Sequence, residues 1–221
     1  SFAFRQEFLA SFEAAGGAIF SEDWIQFDTE EPVEGDYYIA VDLAGFADIA
    51  KATTSKQKKL DTTSISIVKA GVDGWWVDNI IYGRWDVKKT AEKIFQAVRD
   101  YQPLATGIEK GALKNAVHPY LTDLMKQNQS FFRIEELTHG NKRKTDRITW
   151  ALQGRFEHGQ ITLNEGEWNS EFLDQLFQFP NHLVHDDLID SLSYIDQLAK
   201  VSYAFDFEED DYEFMDAVAG Y

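Results

Sequence analysis

Four acidic side chains stand where carboxylates on separate elements could act together: Asp42, Glu109, Asp187 and Asp190. Asp42 and Glu109 each end a short apolar run of the kind that is typical of a buried strand. The other two lie three residues apart in the first turn of a predicted helix, and residues at that spacing share one face. Oxygen ligands on rigid elements, in a chain without cysteine, suit Mg²⁺ or Mn²⁺.

Some residues of these motifs also have a simpler explanation. An Asp at the end of a strand often caps a turn, which is the alternative for Asp42. Asp186 can be the N-cap of the helix, and His185 can be a capping or core-edge histidine instead of a group that orients a carboxylate or a water. Three acids in one turn repel each other, however, and the helix dipole offsets only part of that repulsion. If Asp42 and Glu109 end neighbouring strands, the helix can close a cluster that a cation would neutralise.

Such a cluster is suited to phosphodiester hydrolysis. Two divalent ions about 3.5–4 Å apart activate a water, stabilise the leaving oxygen and neutralise the charge that develops on the phosphate under attack. We therefore expect Mg²⁺ or Mn²⁺ as the cofactor, two ions in all, and nucleic acid as the substrate.

The charge of the chain limits where a nucleic acid could bind. The formal net charge is −17 over 221 residues, which opposes a polyanionic partner unless basic residues cluster locally. Seven of the 38 acidic residues are concentrated in residues 204–221, which we expect to form a disordered or interaction tail. Two basic clusters occur elsewhere: Lys51, Lys56, Lys58 and Lys59, and then Lys142, Arg143, Lys144 and Arg147. A solvated loop is the simpler account of each cluster.

Several classes of function are disfavoured by what the sequence lacks. Without cysteine, neither disulfides nor thiolate metal sites can form. No Gly-x-x-x-x-Gly-Lys-Ser/Thr loop is present, so we expect no ATP hydrolysis here. No apolar run reaches the length of a membrane span, and residues 1–7 lack the order of a signal peptide, so we expect a soluble, non-secreted chain without a membrane partner.

The order of predicted elements indicates an α/β protein with a mixed sheet. Residues 37–42, 62–70 and 75–85 predict three strands of an antiparallel meander, the second with one exposed face, and strands then alternate with helices. The later strands are predicted at residues 105–109, 131–134 and 160–163. The helices are predicted at residues 4–12, 86–101, 115–127, 145–153, 170–177 and 186–201.

The motifs resemble the nuclease domain of phage terminase large subunits, which is a ribonuclease H-like fold. The resemblance rests on the order of four motifs: Tyr-Ile-Ala-Val-Asp at residues 38–42, Gly-Ile-Glu-Lys at 107–110, Asn-Lys-Arg-Lys-Thr-Asp-Arg-Ile at 141–148 and His-Asp-Asp-Leu-Ile-Asp-Ser-Leu at 185–192. It implies a mixed sheet with helices on both faces. It also implies three parts: residues 1–35 as a linker from an ATPase domain that this sequence does not include, residues 36–203 as the nuclease domain, and residues 204–221 as an acidic tail.

The same resemblance implies roles for individual residues. Asp42 and Glu109 would be catalytic metal ligands, and family members differ in whether the third acid stands where Asp187 or Asp190 stands here. Asp186 is a less favoured ligand. The basic residues Lys142, Arg143, Lys144 and Arg147 would contact phosphates, which position DNA without specifying its sequence.

The implied activity is metal-dependent endonucleolytic cleavage of concatemeric double-stranded DNA with little sequence specificity, in the cytoplasm of the host cell. The implied partners are the ATPase domain of the same protein, the portal or procapsid, and the small terminase subunit. Two alternatives stay open: a resolvase or ribonuclease on the same fold, and a non-catalytic acidic module that binds a protein.

Overall fold

The computed structural model describes residues 19–45, 62–138, 143–181 and 183–199. In these ranges seven strands form one sheet in the order β1-β7-β4-β3-β2-β5-β6. The strands are β1 (Gln26–Phe27), β2 (Asp36–Asp42), β3 (Thr63–Gly71), β4 (Gly74–Gly83), β5 (Ala105–Glu109), β6 (Ile134–Leu137) and β7 (Ile161–Leu163). β3 is antiparallel to β2 and β4, and the other neighbours are parallel, which confirms the predicted mixed sheet.

Helices cover both faces of this sheet. They are α1 (Val87–Tyr101), α2 (Ala112–Asn128), α3 (Lys144–Glu157), α4 (Asn169–Gln178) and α5 (Asp187–Ser193), with a 3-10 helix at Glu22–Trp24. Side chains of β2 alternate between two apolar cores. Ile39 and Val41 join the core formed with α1 and α2, whereas Tyr38 and Ala40 join the core formed with α3, α4 and α5. The layers are therefore helix, sheet and helix, as the fully apolar run of β2 requires.

β3 differs from its predicted environment. Its alternating pattern predicted one exposed face, but residues 63–68 are all buried. Ser64 and Ser66 lie under α5, where both hydroxyls hydrogen-bond to Ser191 Oγ. The prediction was wrong because polar side chains at alternate positions meet a polar residue of a packed helix here instead of solvent.

The strand predicted at residues 131–134 begins only at Ile134. The chain leaves α2 through Gln129, which has the left-handed conformation, and residues 130–133 then bring it to the sheet. Phe131 is exposed, and the Phe132 ring packs against Phe95 with centroids 6.2 Å apart. The two aromatic residues that suggested a strand are therefore part of a connection.

The last predicted helix is interrupted. α5 ends at Ser193, a turn follows at Tyr194, and helical residues resume at 195–199. Ser191 and Ser193 donate side-chain hydrogen bonds to the carbonyl oxygens of Leu188 and Asp190. Such bonds compete with the regular backbone pattern of a helix, which accounts for the break.

Part of the predicted linker at residues 1–35 belongs to the folded domain. Phe20 is buried, and its ring lies 5.9 Å from that of Phe156. β1 pairs in parallel with β7 at the edge of the sheet. The predicted helix at residues 4–12, the basic cluster at residues 51–59 and the acidic tail at 204–221 lie outside the described residues. Among the helices that are described, none has both the length and the apolar character needed to cross a bilayer.

Candidate active site

Asp42 and Glu109 lie side by side at one edge of the sheet. In the parallel pair of β2 and β5, Val41 is opposite Ile108, so the next residue of each strand reaches the same edge. After burial, which is the largest cause, Glu109 is among the acids that raise the pKa of Asp42. The structure thus brings together the two acids that the sequence placed at strand ends.

Asp42 is buried on the side of the sheet that α5 covers, with 9% of its surface exposed. Burial raises the pKa of Asp42, the negative charges of Asp190 and Glu109 raise it further, and Lys144 lowers it. The net result is a pKa well above the usual range for Asp. Electrostatic effects of this kind require proximity, so acids from β2, β5 and α5 lie near one another, with Asp42 and Asp190 buried and Glu109 partly exposed.

α5 is held against the sheet by a cluster of hydroxyl groups. All seven residues of the helix are buried. Ser191 Oγ lies 2.8 Å from Ser64 Oγ and 2.7 Å from Ser66 Oγ, and it donates to the carbonyl of Leu188 at 3.0 Å. Because the serine side chains are short, the helix can lie close to β3. This contact fixes the position of Asp190, one residue before Ser191.

Both carboxylate oxygens of Asp190 contact cationic side chains of α3. Arg147 Nη2 lies 2.5 Å from Oδ1, and Lys144 Nζ lies 2.8 Å from Oδ2. Lys144 Nζ is also 2.7 Å from Asp186 Oδ1. Burial lowers the pKa of Lys144, but Asp190 and Asp186 outweigh burial, so the pKa is raised and the ammonium stays charged.

Arg147 lies beneath the site and not on the surface. Its guanidinium donates to Ser193 Oγ at 2.7 Å and stacks on the Tyr194 ring, 4.0 Å from the ring centre. Only 7% of Arg147 is exposed. The expectation that Arg147 contacts DNA phosphates is wrong, because its place on α3 turns it towards α5 and the protein interior.

Asp187 and Asp186 differ from Asp190 in their hydrogen-bond and ion-pair partners. Asp187 Oδ2 accepts a hydrogen bond from the Thr62 N–H at 2.7 Å, and His185 Nδ1 lies 3.9 Å from the same oxygen. Asp186 occupies the N-cap position of α5, but its side chain makes no capping hydrogen bond and pairs with Lys144 instead. The negative charge of Asp190 is one of the causes that raise the pKa of Asp42.

The other predicted DNA-contacting residues lie near the start of α3. Arg143 is exposed at its N-cap position, and Lys144 pairs with the acids of α5. Lys142 lies outside the described residues. The sequence analysis missed Tyr194, a fully buried residue whose pKa is raised by burial and by nearby acids that include Asp190, although Arg147 lowers it. Nothing in the sequence singled out Tyr194, whereas the alternating serines of β3 were a usable sign of the contact with α5.

The donors fit a hard divalent cation, but their present arrangement does not hold one. As the side chains stand, no three His, Asp or Glu residues in the described ranges are grouped as a metal site. Asp42, Glu109 and Asp190 offer only carboxylate oxygens, the preferred ligands of Mg²⁺ and Mn²⁺. Burial and the neighbouring acids raise the pKa of Asp42, and a bound cation would lower it again. Lys144 and Arg147 contact the two carboxylate oxygens of Asp190.

Comparison with known proteins agrees with this architecture. A family model described as the terminase RNaseH-like domain matches residues 41–196. The human cytomegalovirus terminase nuclease domain, soaked with manganese and bound to an inhibitor, superposes with a TM-score of 0.56 at 14% identity over 85% of this chain and 97% of that one. No curated protein sequence matches the chain.

Two phage structures are similar in the same way. The large terminase nuclease of thermophilic phage G20c with bound magnesium gives a TM-score of 0.55 at 13% identity over 80% of this chain and 95% of that one. A large terminase from another thermophilic bacteriophage gives 0.54 at 11% identity, and the match covers 80% of this chain but only 43% of that protein. At such identities the superpositions establish the fold, and the family match establishes kinship. The chain belongs to the terminase RNaseH-like domain family.

Proposed function

We propose that this chain is a divalent-metal-dependent endodeoxyribonuclease, which hydrolyses phosphodiester bonds of concatemeric double-stranded DNA during viral genome packaging. Family membership supports a terminase nuclease. The observation that carries the proposal is the burial of Asp42 beside Glu109 and Asp190, close enough for both acids to raise its pKa. Acids crowded in this way are costly to the fold unless they serve a charged ligand.

Asp42, Glu109 and Asp190 would hold the metal, with Asp187 as a further candidate and Asp186 a less favoured one. Related nuclease domains have been crystallised with bound magnesium, with bound zinc or after a manganese soak, and those findings concern those proteins. Bound Mg²⁺ or Mn²⁺, two ions in all, would supply an activated water and neutralise charge on the scissile phosphate.

The residues of the chain itself position the carboxylates and exclude water from Asp42. β2 and β5 fix two carboxylates in register, and the hydroxyl contact between Ser191 and β3 sets the distance of α5. Burial of Asp42 removes competing water from its carboxylate. Arg143, exposed at the start of α3, and Lys142 beside it are proposed to contact DNA phosphates. Contacts of this type agree with cleavage of little sequence specificity.

Other parts of the packaging assembly belong to the same proposal. Because the chain spans less than half of the second phage protein, the large terminase matched over 43% of its length, we place the ATPase domain elsewhere in the same protein. The small terminase subunit and the portal or procapsid are the proposed partners, and the host cytoplasm is the proposed location.

The test is cleavage of supercoiled plasmid by the purified chain with Mg²⁺ or Mn²⁺. Asp42→Asn and Glu109→Gln should each lower the rate by more than about 100-fold, since even groups that only support metal ligands contribute about 10–100-fold. Glu34→Gln, at the opposite end of the sheet, is the matched control and should leave the rate unchanged. EDTA should abolish cleavage. Parent-like cleavage by both site variants would refute the proposal, and faster cleavage of RNA–DNA hybrids or branched junctions would redirect it to a ribonuclease or a resolvase.

A further inference from the structure

Asp190 is contacted by two cations that differ in how firmly they are held. Arg147 is almost fully buried and has three partners in Asp190, Ser193 and Tyr194. The Lys144 side chain is 39% exposed, and among the described residues it contacts the carboxylates of Asp190 and Asp186. The lysine can therefore turn outwards into water, whereas the arginine would have to be buried without its counter-charge.

The two cations also occupy different oxygens. Arg147 contacts Oδ1, on the side of Ser193, which also lies 3.4 Å from that oxygen. Lys144 contacts Oδ2, and its charge acts on Asp42 as well, so it lies on the side of the acid cluster. A positive group among Asp42, Asp186 and Asp190 is what a divalent ion would replace.

We propose that Lys144 holds the place of a divalent ion on Asp190 Oδ2 and leaves when the ion binds, while Arg147 stays on Oδ1 and keeps the carboxylate in position. Both are positioning residues, and the inference rests on the proposed function, because it concerns the same metal site. It gives the metal-free domain a positive charge beside Asp190 Oδ2, where the ion would bind. It also lowers the affinity for the ion, because the ion must displace a bound ammonium.

The exchange follows from electrostatics. A divalent ion at Oδ2 would repel a lysine ammonium a few ångströms away with twice the energy of a monovalent ion at that distance. Lys144 lies at the first position of α3, next to the exposed Arg143. Its release would place a second positive charge beside Arg143, where a phosphate backbone is proposed to approach. Ion binding would thereby complete the DNA-contacting surface.

The test is isothermal titration of the full chain with MnCl₂, without DNA. Lys144→Met keeps the length of the side chain and removes its charge, so Mn²⁺ should bind about 5-fold or more tightly than to the parent, within the usual range of coupling between sites. Lys69→Met makes the same charge change at the far end of the sheet, where Lys69 pairs with Glu31 at 2.7 Å. It should change the affinity less than about 2-fold.

Arg147→Lys tests the positioning role of Arg147 while it preserves the positive charge. A lysine cannot reproduce the fork that reaches Asp190 and Ser193 together, so Mn²⁺ should bind about 10–100-fold more weakly, as on loss of a group that supports a metal ligand. If this variant does not fold, the parent can be probed directly. An amine-reactive reagent followed by mass spectrometry should modify Lys144 slowly in EDTA and faster with Mg²⁺, with Lys69 unchanged.

The outcomes separate this inference from the proposed function. If the parent binds Mn²⁺ but Lys144→Met binds it equally or more weakly, the place-holder role is wrong and the metal site stands. If Lys144 is no more reactive with Mg²⁺ than in EDTA, the exchange does not occur. If Arg147→Lys is folded and binds as tightly as the parent, the positioning role of Arg147 is wrong. If neither the parent nor Lys144→Met binds Mn²⁺, the metal site fails and the inference fails with it.

Discussion

The two ends of the central strands are both acidic, yet only one has the character of a catalytic site. At the end opposite Asp42 lies a groove of about 360 Å³ that we call the acidic groove; its lining includes Asp28, Glu30, Glu34, Asp73, Lys69 and Trp76. Its carboxylates are exposed to solvent. At the other end, Asp42, Asp187 and Asp190 are buried. The number of acids is similar, and what differs is their access to water.

The pKa values move in opposite directions at the two ends. Beside the acidic groove, a hydrogen bond from Lys69 lowers the pKa of the exposed Glu31. At the other end, burial and neighbouring acids raise the pKa of Asp42. An exposed acid with its own lysine is a stable surface pair, whereas buried acids that crowd each other store unfavourable energy that a cation can relieve. This contrast, more than the net charge, distinguishes the end at which we propose the active site.

The largest expected effect is on cleavage, and it separates the acids of the last motif. Asp190→Asn should lower the rate of plasmid cleavage with Mg²⁺ by more than about 100-fold, because Asp190 is buried and its charge raises the pKa of Asp42. Asp187→Asn should lower the cleavage rate less than Asp190→Asn does. Asp187 accepts a backbone hydrogen bond from Thr62, and an asparagine can retain it. Asp73→Asn in the acidic groove is the control and should be neutral. A larger loss at Asp187 than at Asp190 would reassign the third acid.

A stability change of intermediate size is expected at the contact between α5 and β3. Ser191→Ala removes the partner of two buried hydroxyl groups, those of Ser64 and Ser66, and should lower the free energy of unfolding by about 1–3 kcal/mol. Ser170→Ala, at an exposed position of α4, should change it by less than about 0.5 kcal/mol. Urea unfolding in EDTA measures both. An equal, small effect for the two variants would mean that these hydroxyls do not hold α5 in place.

The buried acid should also make metal-free stability depend on pH. Since the pKa of Asp42 is raised in the folded state, the folded protein keeps a proton that the unfolded chain releases above about pH 4. Stability should therefore fall as the pH rises from that value through the raised pKa of the folded state. Asp42→Asn lacks this contribution, so its Tm in EDTA should rise relative to that of the parent between about pH 4.5 and 8.

One further result is expected from this pH dependence, and another would contradict it. Saturating Mg²⁺ should reduce the dependence in the parent, because a bound cation favours the ionised acid. Parallel Tm curves for parent and Asp42→Asn in EDTA would show that Asp42 ionises as freely in the folded protein as in the unfolded chain.

The smallest effect is expected from the pair near the acidic groove. Glu31 is half exposed, and its contact with Lys69 should contribute no more than about 0.2–1 kcal/mol to folding. Glu31→Gln should therefore shift the urea midpoint slightly and leave cleavage unchanged. A stability loss as large as that of Ser191→Ala would weaken the contrast between the two ends of the sheet.

The mixed sheet, the strand ends and the acids at those ends could be predicted from the sequence, because apolar runs, turn residues and carboxylates are local features. The environment of β3 could not, since Ser64 and Ser66 have the same pattern whether they face water or a helix. The buried position of Arg147 could not be predicted from the sequence either. A basic cluster suggests a surface, and only the packing of α3 on α5 shows that one of its members is turned inwards to Asp190. Tyr194 was missed because a buried aromatic residue gives no chemical signal of its own.

The central claim is that acids from β2, β5 and α5 bind divalent ions together. The most direct measurement is a crystal structure of the chain soaked in Mn²⁺, with the metal located by anomalous scattering. We expect manganese bound by oxygens of Asp42, Glu109 and Asp190, with Lys144 Nζ withdrawn from Asp190 Oδ2. A fully soaked crystal with no metal at these acids and Lys144 still in place, or with the ion in the acidic groove, would contradict this account.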